Sequence, residues 1–227
     1  MKYNFNQSDI RQNKKIMIGN KEIIWKNQLE DGNCLFRALS CCLFGDFKYH
    51  WNLRLLIISY LRLNKHKYFH IFENGYFELD DEYFCGETYE HIFKNYINYM
   101  SASNMEGGEI ELIILSDILR EWDYTQPILV YSIYSHKLTH RDFGYHFDNK
   151  IIESDHPIIL FHKAHSHYWG GVVRSNNSEC IIKSNLENMR NMYKNCIDNC
   201  SEIKWLFSEI GEEYDYIEDY SLLGDIF

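Results

Sequence analysis

Eight consecutive residues, Asp31-Gly32-Asn33-Cys34-Leu35-Phe36-Arg37-Ala38, constrain this chain more than any other stretch. Asp-Gly-Asn is turn chemistry, because glycine takes positive φ freely and short polar side chains bond to nearby backbone. From Leu35 the apolar residues fall at 35, 38, 39 and 42, the spacing of a helix with one buried face, and Phe36 and Leu43 widen that face. The pattern predicts a helix over 35–44, central to its domain, with Cys34 in or beside its first turn. Unsatisfied N–H groups and the positive dipole end there favour a thiolate over a thiol. The same N–H groups suit an oxyanion formed by attack on a carbonyl.

Further helices are predicted around Leu53–Leu61, around Ile92–Met100, and from Gly108 through Leu112, Leu115 and Leu119. After Asp123 the period changes. Pro127-Ile-Leu-Val-Tyr-Ser-Ile, Pro157-Ile-Ile-Leu-Phe-His and Tyr168 to Val173 read as strands, the two prolines standing at strand starts where a missing N–H is tolerated. Ile23-Ile24-Trp25 reads as a short strand or turn. Helices first and strands later predict an α+β domain with the cysteine helix on an antiparallel or mixed sheet. Residues 1–22 are polar and read as an N-terminal arm, 23–178 as the catalytic domain, and 179–227 as a polar C-terminal helix and acidic tail. From Ser208 onward seven acidic residues meet no Lys or Arg, the pattern of a solvated segment or of a flap for a basic partner.

With 23 basic and 33 acidic residues the net charge is −10, a poor match to nucleic acid and a good one to a basic protein surface. Seven cysteines, an odd number, do not suggest a secreted disulfide framework. No signal-type apolar stretch opens the sequence, and runs such as Leu55–Ile58 are too short to span a bilayer. A monomer in the reducing cytoplasm is expected, in the host cytosol if the source is a pathogen. The Asn-, Ile-, Lys- and Tyr-heavy composition fits an AT-rich genome. Cys41, Cys42 and Cys85 read as core fillers. Cys196 and Cys200 are four apart, but no second ligand pair is near, so no metal site is expected.

The Asp31–Ala38 run resembles the nucleophile motif of the ovarian-tumour (OTU) cysteine proteases, most of which are deubiquitinases. The resemblance extends, in the family's order, over about residues 25–175. His50–Leu61, with Arg54 in an apolar run, is similar to its second helix. Glu106-Gly107-Gly108-Glu109-Ile110-Glu111-Leu112, then Leu115-Ser116, resembles the segment Trp-Gly-Gly-x-x-Glu-Leu-x-x-Leu-Ser. His167-Tyr168 with Val172-Val173 resembles its closing strand. The resemblance implies a papain-like α+β fold and hydrolysis of the bond after the Gly-Gly end of ubiquitin or a ubiquitin-like modifier, with no cofactor or metal. It assigns Cys34 as nucleophile, His167 as its partner, Asp31 to the active-site set, and Gly32 and Asn33 to the oxyanion loop.

His165 is the fallback for the histidine, because 165 and 167 share a face in a strand. Many family members place Asp or Asn two residues after the catalytic histidine to accept its Nδ1–H. Here that position is Trp169, whose indole N–H only donates. Asp31 is the first substitute and Asp155 the second. The alternative reading is an OTU-like module that binds ubiquitin without cutting it. A metal-binding or scaffold protein, suggested by the acidic tail and the cysteine pair, is the third.

Overall fold

The computed structural model describes residues 15–18, 21–26, 31–73, 88–102, 104–123, 128–134, 137–143, 158–163, 167–173 and 178–199. Contacts divide the chain into two compact units, Met1–Leu53 with Ser103–Asn185, and Arg54–Ala102 with Leu186–Phe227.

The first unit is built on one mixed sheet. Its strands are β1 (Lys15–Ile18), β2 (Lys21–Lys26), β3 (Ile128–Tyr134), β4 (Lys137–Phe143), β5 (Ile158–Lys163) and β6 (His167–Val173), in spatial order β1-β2-β6-β5-β3-β4. All neighbours are antiparallel except β3 and β5. The expected strands are β2, β3, β5 and β6. Two edge strands were not expected. β1 lies within the segment read as an arm, so the sheet begins upstream of the boundary drawn at residue 23. β4, Lys-Leu-Thr-His-Arg-Asp-Phe, is the edge strand beside β3 and has a charged sequence that does not read as a strand.

Helix α1 (Cys34–Phe44) packs on β6 and β5, with Leu35, Phe36, Ala38, Leu39, Cys41, Leu43 and Phe44 all buried. A helix buried this widely is a core element, as its apolar content implies. Its last turn is held by Gly45, whose N–H donates to Cys41 O at 3.1 Å, and by Asn185, whose Nδ2 donates to Leu43 O at 2.9 Å. α5 (Glu109–Glu121) begins where Glu111 accepts the Gly108 N–H at 2.6 Å.

α1 and β6 meet through a glycine. A Cβ at Gly170 would stand 2.6 Å from the carbonyl oxygen of Ala38 and 3.1 Å from its Cα. Those are backbone atoms and cannot swing away. Gly170→Ala is therefore expected to destabilise the protein by about 2 kcal/mol, the scale of overpacking, lowering Tm by roughly 4–8 °C in a scanning calorimeter.

The described residues of the second unit are helical. α2 (His50–Leu63) carries the chain into it, followed by α3 (Phe69–Glu73) and α4 (Tyr89–Ser101). Phe72 meets Phe93 and Tyr96 edge-on, each at 5.2 Å between centroids. Arg54 is fully buried and donates from Nη1 to Met100 O at 3.2 Å. α6 (Ser178–Asn199) starts in the first unit and enters the second after Asn185. The polar helix expected there forms, and it also has a buried face: Met189, Met192, Tyr193 and Cys196, at helical spacing, are all buried. The tail from residue 200, together with Cys85, Asp155, His165 and Cys200, lies outside the described residues.

Candidate active site

Cys34 is the first residue of α1, as the spacing predicted, and is 5% exposed. The turn before it is set by Gly32, at φ +76°, and by Asn33 at the N-cap. Gly32 is required twice over, for the left-handed backbone and because a Cβ there would fall 1.9 Å from the carbonyl oxygen of Asn104. The side chain of Asn33 does not cap the helix. It donates from Nδ2 to Asn104 Oδ1 at 3.0 Å, pinning the nucleophile loop to the segment that precedes α5.

The sulfur lies against β6. Backbone N–H groups of Tyr168 and Leu35 are directed at it. Burial nevertheless dominates and pushes the Cys34 thiol above its ordinary range. The two N–H groups pull it back, and the carboxylates of Glu106 and Asp31 push it up again. The sequence expectation of a thiolate favoured by the helix terminus is thus corrected: that pull is present, but desolvation outweighs it.

His167 opens β6, directly before the residue whose N–H faces the sulfur, and is 1% exposed. Its ring meets Trp169 edge-on, at 5.3 Å between centroids and 79° between planes. Trp169 is itself buried. The indole therefore packs on the imidazole, at the position where many members of the resembled family carry Asp or Asn. Neighbouring Tyr168 stacks on His162 of β5 at 4.4 Å, which gives that histidine a packing role away from the nucleophile.

Asp31 is committed to the nucleophile loop. Its Oδ1 accepts the Asn33 N–H at 3.1 Å and forms an ion pair with Arg37, one turn into α1. Burial alone would raise its pKa, but Arg37 and the Asn33 N–H more than offset that and hold the carboxyl below its usual range. These contacts make Asp31 a positioning residue for the loop. Asp31→Asn, which can still accept the Asn33 N–H, is expected to retain more turnover than Asp31→Ala, by about tenfold. Removing the charge is also expected to move the pH profile of Cys34 alkylation to lower pH. Equal damage from both substitutions, with an unmoved profile, would refute the assignment.

Two residues at this site had no role in the sequence reading. Arg37 was visible only as part of the motif. Asn104, in left-handed backbone at φ +66°, stands in the turn-rich Ser-Asn-Met-Glu-Gly-Gly stretch, whose composition marks a loop without saying where it docks.

Residues 28–134 match the family model described as the OTU domain of vertnin. The OTU domain-containing protein 5 of Rattus norvegicus is 26% identical over 217 residues, covering 93% of this chain and 33% of that protein. The chain thus spans about a third of the length of the curated relatives it matches. Among solved structures, the viral OTU domain protease from Dera Ghazi Khan virus aligns with a TM-score of 0.49 at 16% identity, over 67% of this chain and 82% of that one. The Hazara virus OTU bound to ubiquitin aligns with a TM-score of 0.40 at 13% identity, over 74% and 99%.

Proposed function

We propose, from the premise that this chain belongs to the ovarian-tumour domain family, that it is a thiol-dependent deubiquitinase. It cleaves the isopeptide or peptide bond after the C-terminal Gly-Gly of ubiquitin or a ubiquitin-like modifier, and works as a cytoplasmic monomer without metal or organic cofactor. The observation that carries the reading is the placement of Cys34 at the first turn of α1 with its sulfur against β6 at Tyr168, adjacent in sequence to His167.

In this mechanism His167 takes the Cys34 proton as the sulfur attacks the glycine carbonyl. The pair then behaves as thiolate and imidazolium, which reconciles a buried thiol of raised pKa with nucleophilic attack. Backbone N–H groups of the Gly32–Cys34 loop and the start of α1 hold the oxyanion. The imidazolium protonates the departing lysine amine, the C–N bond breaks, and an acyl-enzyme remains. His167 then draws a proton from water, whose hydroxide attacks the thioester and releases the modifier's carboxylate and the thiol.

Ubiquitin carrying a thiol-reactive warhead at its C-terminus tests this directly. A covalent adduct is expected at Cys34, seen as a mass shift on the peptide containing it. A second reading, a ubiquitin-binding module without turnover, is favoured by one observation, the Trp169 indole packed on His167 where an acceptor would serve catalysis. Binding of ubiquitin with no adduct and no cleavage would select it.

A further inference from the structure

Asparagine is among the strongest N-capping residues, so a helix entered from Asn33 is expected to carry a side-chain cap. Two other helix starts in this protein are capped that way. Asp46, at ψ 143°, accepts the Lys48 N–H, and Thr88, at ψ 150°, accepts the His91 N–H. Both have the extended backbone that aims a capping side chain over the first turn. Asn33 stands instead at φ −96° and ψ 5°, and its side chain makes no cap bond. Asn104 holds it there in two ways. Its Oδ1 accepts a bond from Asn33 Nδ2 at 3.0 Å, and its carbonyl oxygen occupies the space beside Gly32, where a Cβ would fall 1.9 Å away. Asn104 is itself in left-handed backbone, at φ +66°, and from there both of its oxygens meet the loop.

We propose that Asn104 is a positioning residue that keeps α1 uncapped, so that the N–H groups at the start of the helix serve the oxyanion. This rests on the deubiquitinase reading. A cap and an oxyanion compete for the same end of the helix. The capping oxygen bonds to the second or third N–H, here Leu35 or Phe36, and covers the first turn. Reaching that bond also requires Asn33 to rotate from ψ 5° into the extended range seen at Asp46 and Thr88. That rotation swings the Asp31–Asn33 turn relative to α1 and moves the N–H groups of the loop away from the oxyanion. By engaging the Asn33 carboxamide, Asn104 gives up the stability of a cap and preserves the geometry of the loop.

Asn104→Gly tests this, because glycine keeps the positive φ and the carbonyl while deleting the side-chain acceptor. With ubiquitin bearing a C-terminal fluorogenic amide, kcat is expected to fall about tenfold with KM little changed, less than the full loss of an oxyanion donor because the carbonyl contact stays. Amide hydrogen exchange at Leu35 and Phe36, read by NMR, is expected to slow by about fivefold, the scale of one capping bond, whereas a merely loosened loop would exchange faster. In Asn33→Ala, which has no side chain to cap with, Asn104→Gly is expected to change kcat and exchange by no more than about twofold. Asn104→Asp keeps an acceptor and tolerates the same backbone, and is expected to leave exchange as in the wild type. If no ubiquitin derivative is cut but exchange still slows in Asn104→Gly, the hydrolase reading fails while the hold of Asn104 on the uncapped loop stands. Unchanged or faster exchange in Asn104→Gly, equal slowing in Asn104→Asp, or a kcat loss that persists in Asn33→Ala would overturn the proposal.

Discussion

Cys34→Ala is expected to reduce cleavage of ubiquitin conjugates to background while leaving ubiquitin affinity within about twofold. The substitution removes one sulfur atom from a position that is 5% exposed, in a helix whose other contacts are unchanged, and alanine is the best helix former. Lost packing of so small a group costs on the order of 1 kcal/mol, too little to unfold a domain whose α1 buries residues almost all round. The chemistry, by contrast, has no substitute in the other two cysteines of α1. Cys41 is enclosed in the core, and Cys42, half-buried, points its sulfur at the carbonyl oxygens of Ile159 and Gly171, at 3.4 and 3.5 Å. A single-turnover assay with a diubiquitin, run beside isothermal titration with ubiquitin, separates the two effects. Retained cleavage in this variant would end the protease reading. Loss of binding together with cleavage would mean that the sulfur's removal disturbs the oxyanion loop.

Much of this site is legible from residue types alone, for physical reasons. The start of α1 is fixed by a glycine that must adopt positive φ and by an apolar repeat that can bury only as a helix, so Cys34 could be placed before any coordinates. The strands around β6 are apolar runs opened by turn residues, and they form. What stayed hidden is what depends on partners distant in sequence. β1 is four residues inside a polar segment and exists because β2 offers it an edge. β4 is an edge strand formed by pairing with β3, and its charged residues break the apolar alternation by which a sequence shows a strand. In α6 the buried face of Met189, Met192, Tyr193 and Cys196 is present in the sequence but outnumbered by Asn, Lys and Glu. At Cys34 the helix terminus is a local feature that the sequence displays, whereas the burial that raises the thiol's pKa arises only once the chain is folded.

His167→Ala should cost at least about a hundredfold in kcat, the scale of a lost general acid and base, with KM little changed. His167 is buried and its ring meets Trp169 edge-on, so the variant also leaves a cavity beside the indole. A melting curve is therefore needed beside the kinetics to show that the loss is not unfolding. If His165→Ala produced the hundredfold loss and His167→Ala did not, the assignment of the histidine would be wrong. Trp169→Asn probes what the indole does. The carboxamide can accept the Nδ1–H of His167, which the indole cannot, but it surrenders the edge-on contact and most of the buried area of a tryptophan. If orientation through a hydrogen bond is what the site lacks, turnover rises even as Tm falls. If packing against the indole already fixes the imidazole, turnover and Tm fall together, and Trp169 itself is the positioning residue of a Cys34–His167 dyad. The same pair of measurements on Asp31→Asn completes the comparison, since a carboxylate tied to Arg37 and the Asn33 N–H acts on the loop and leaves the response to Trp169→Asn additive with its own.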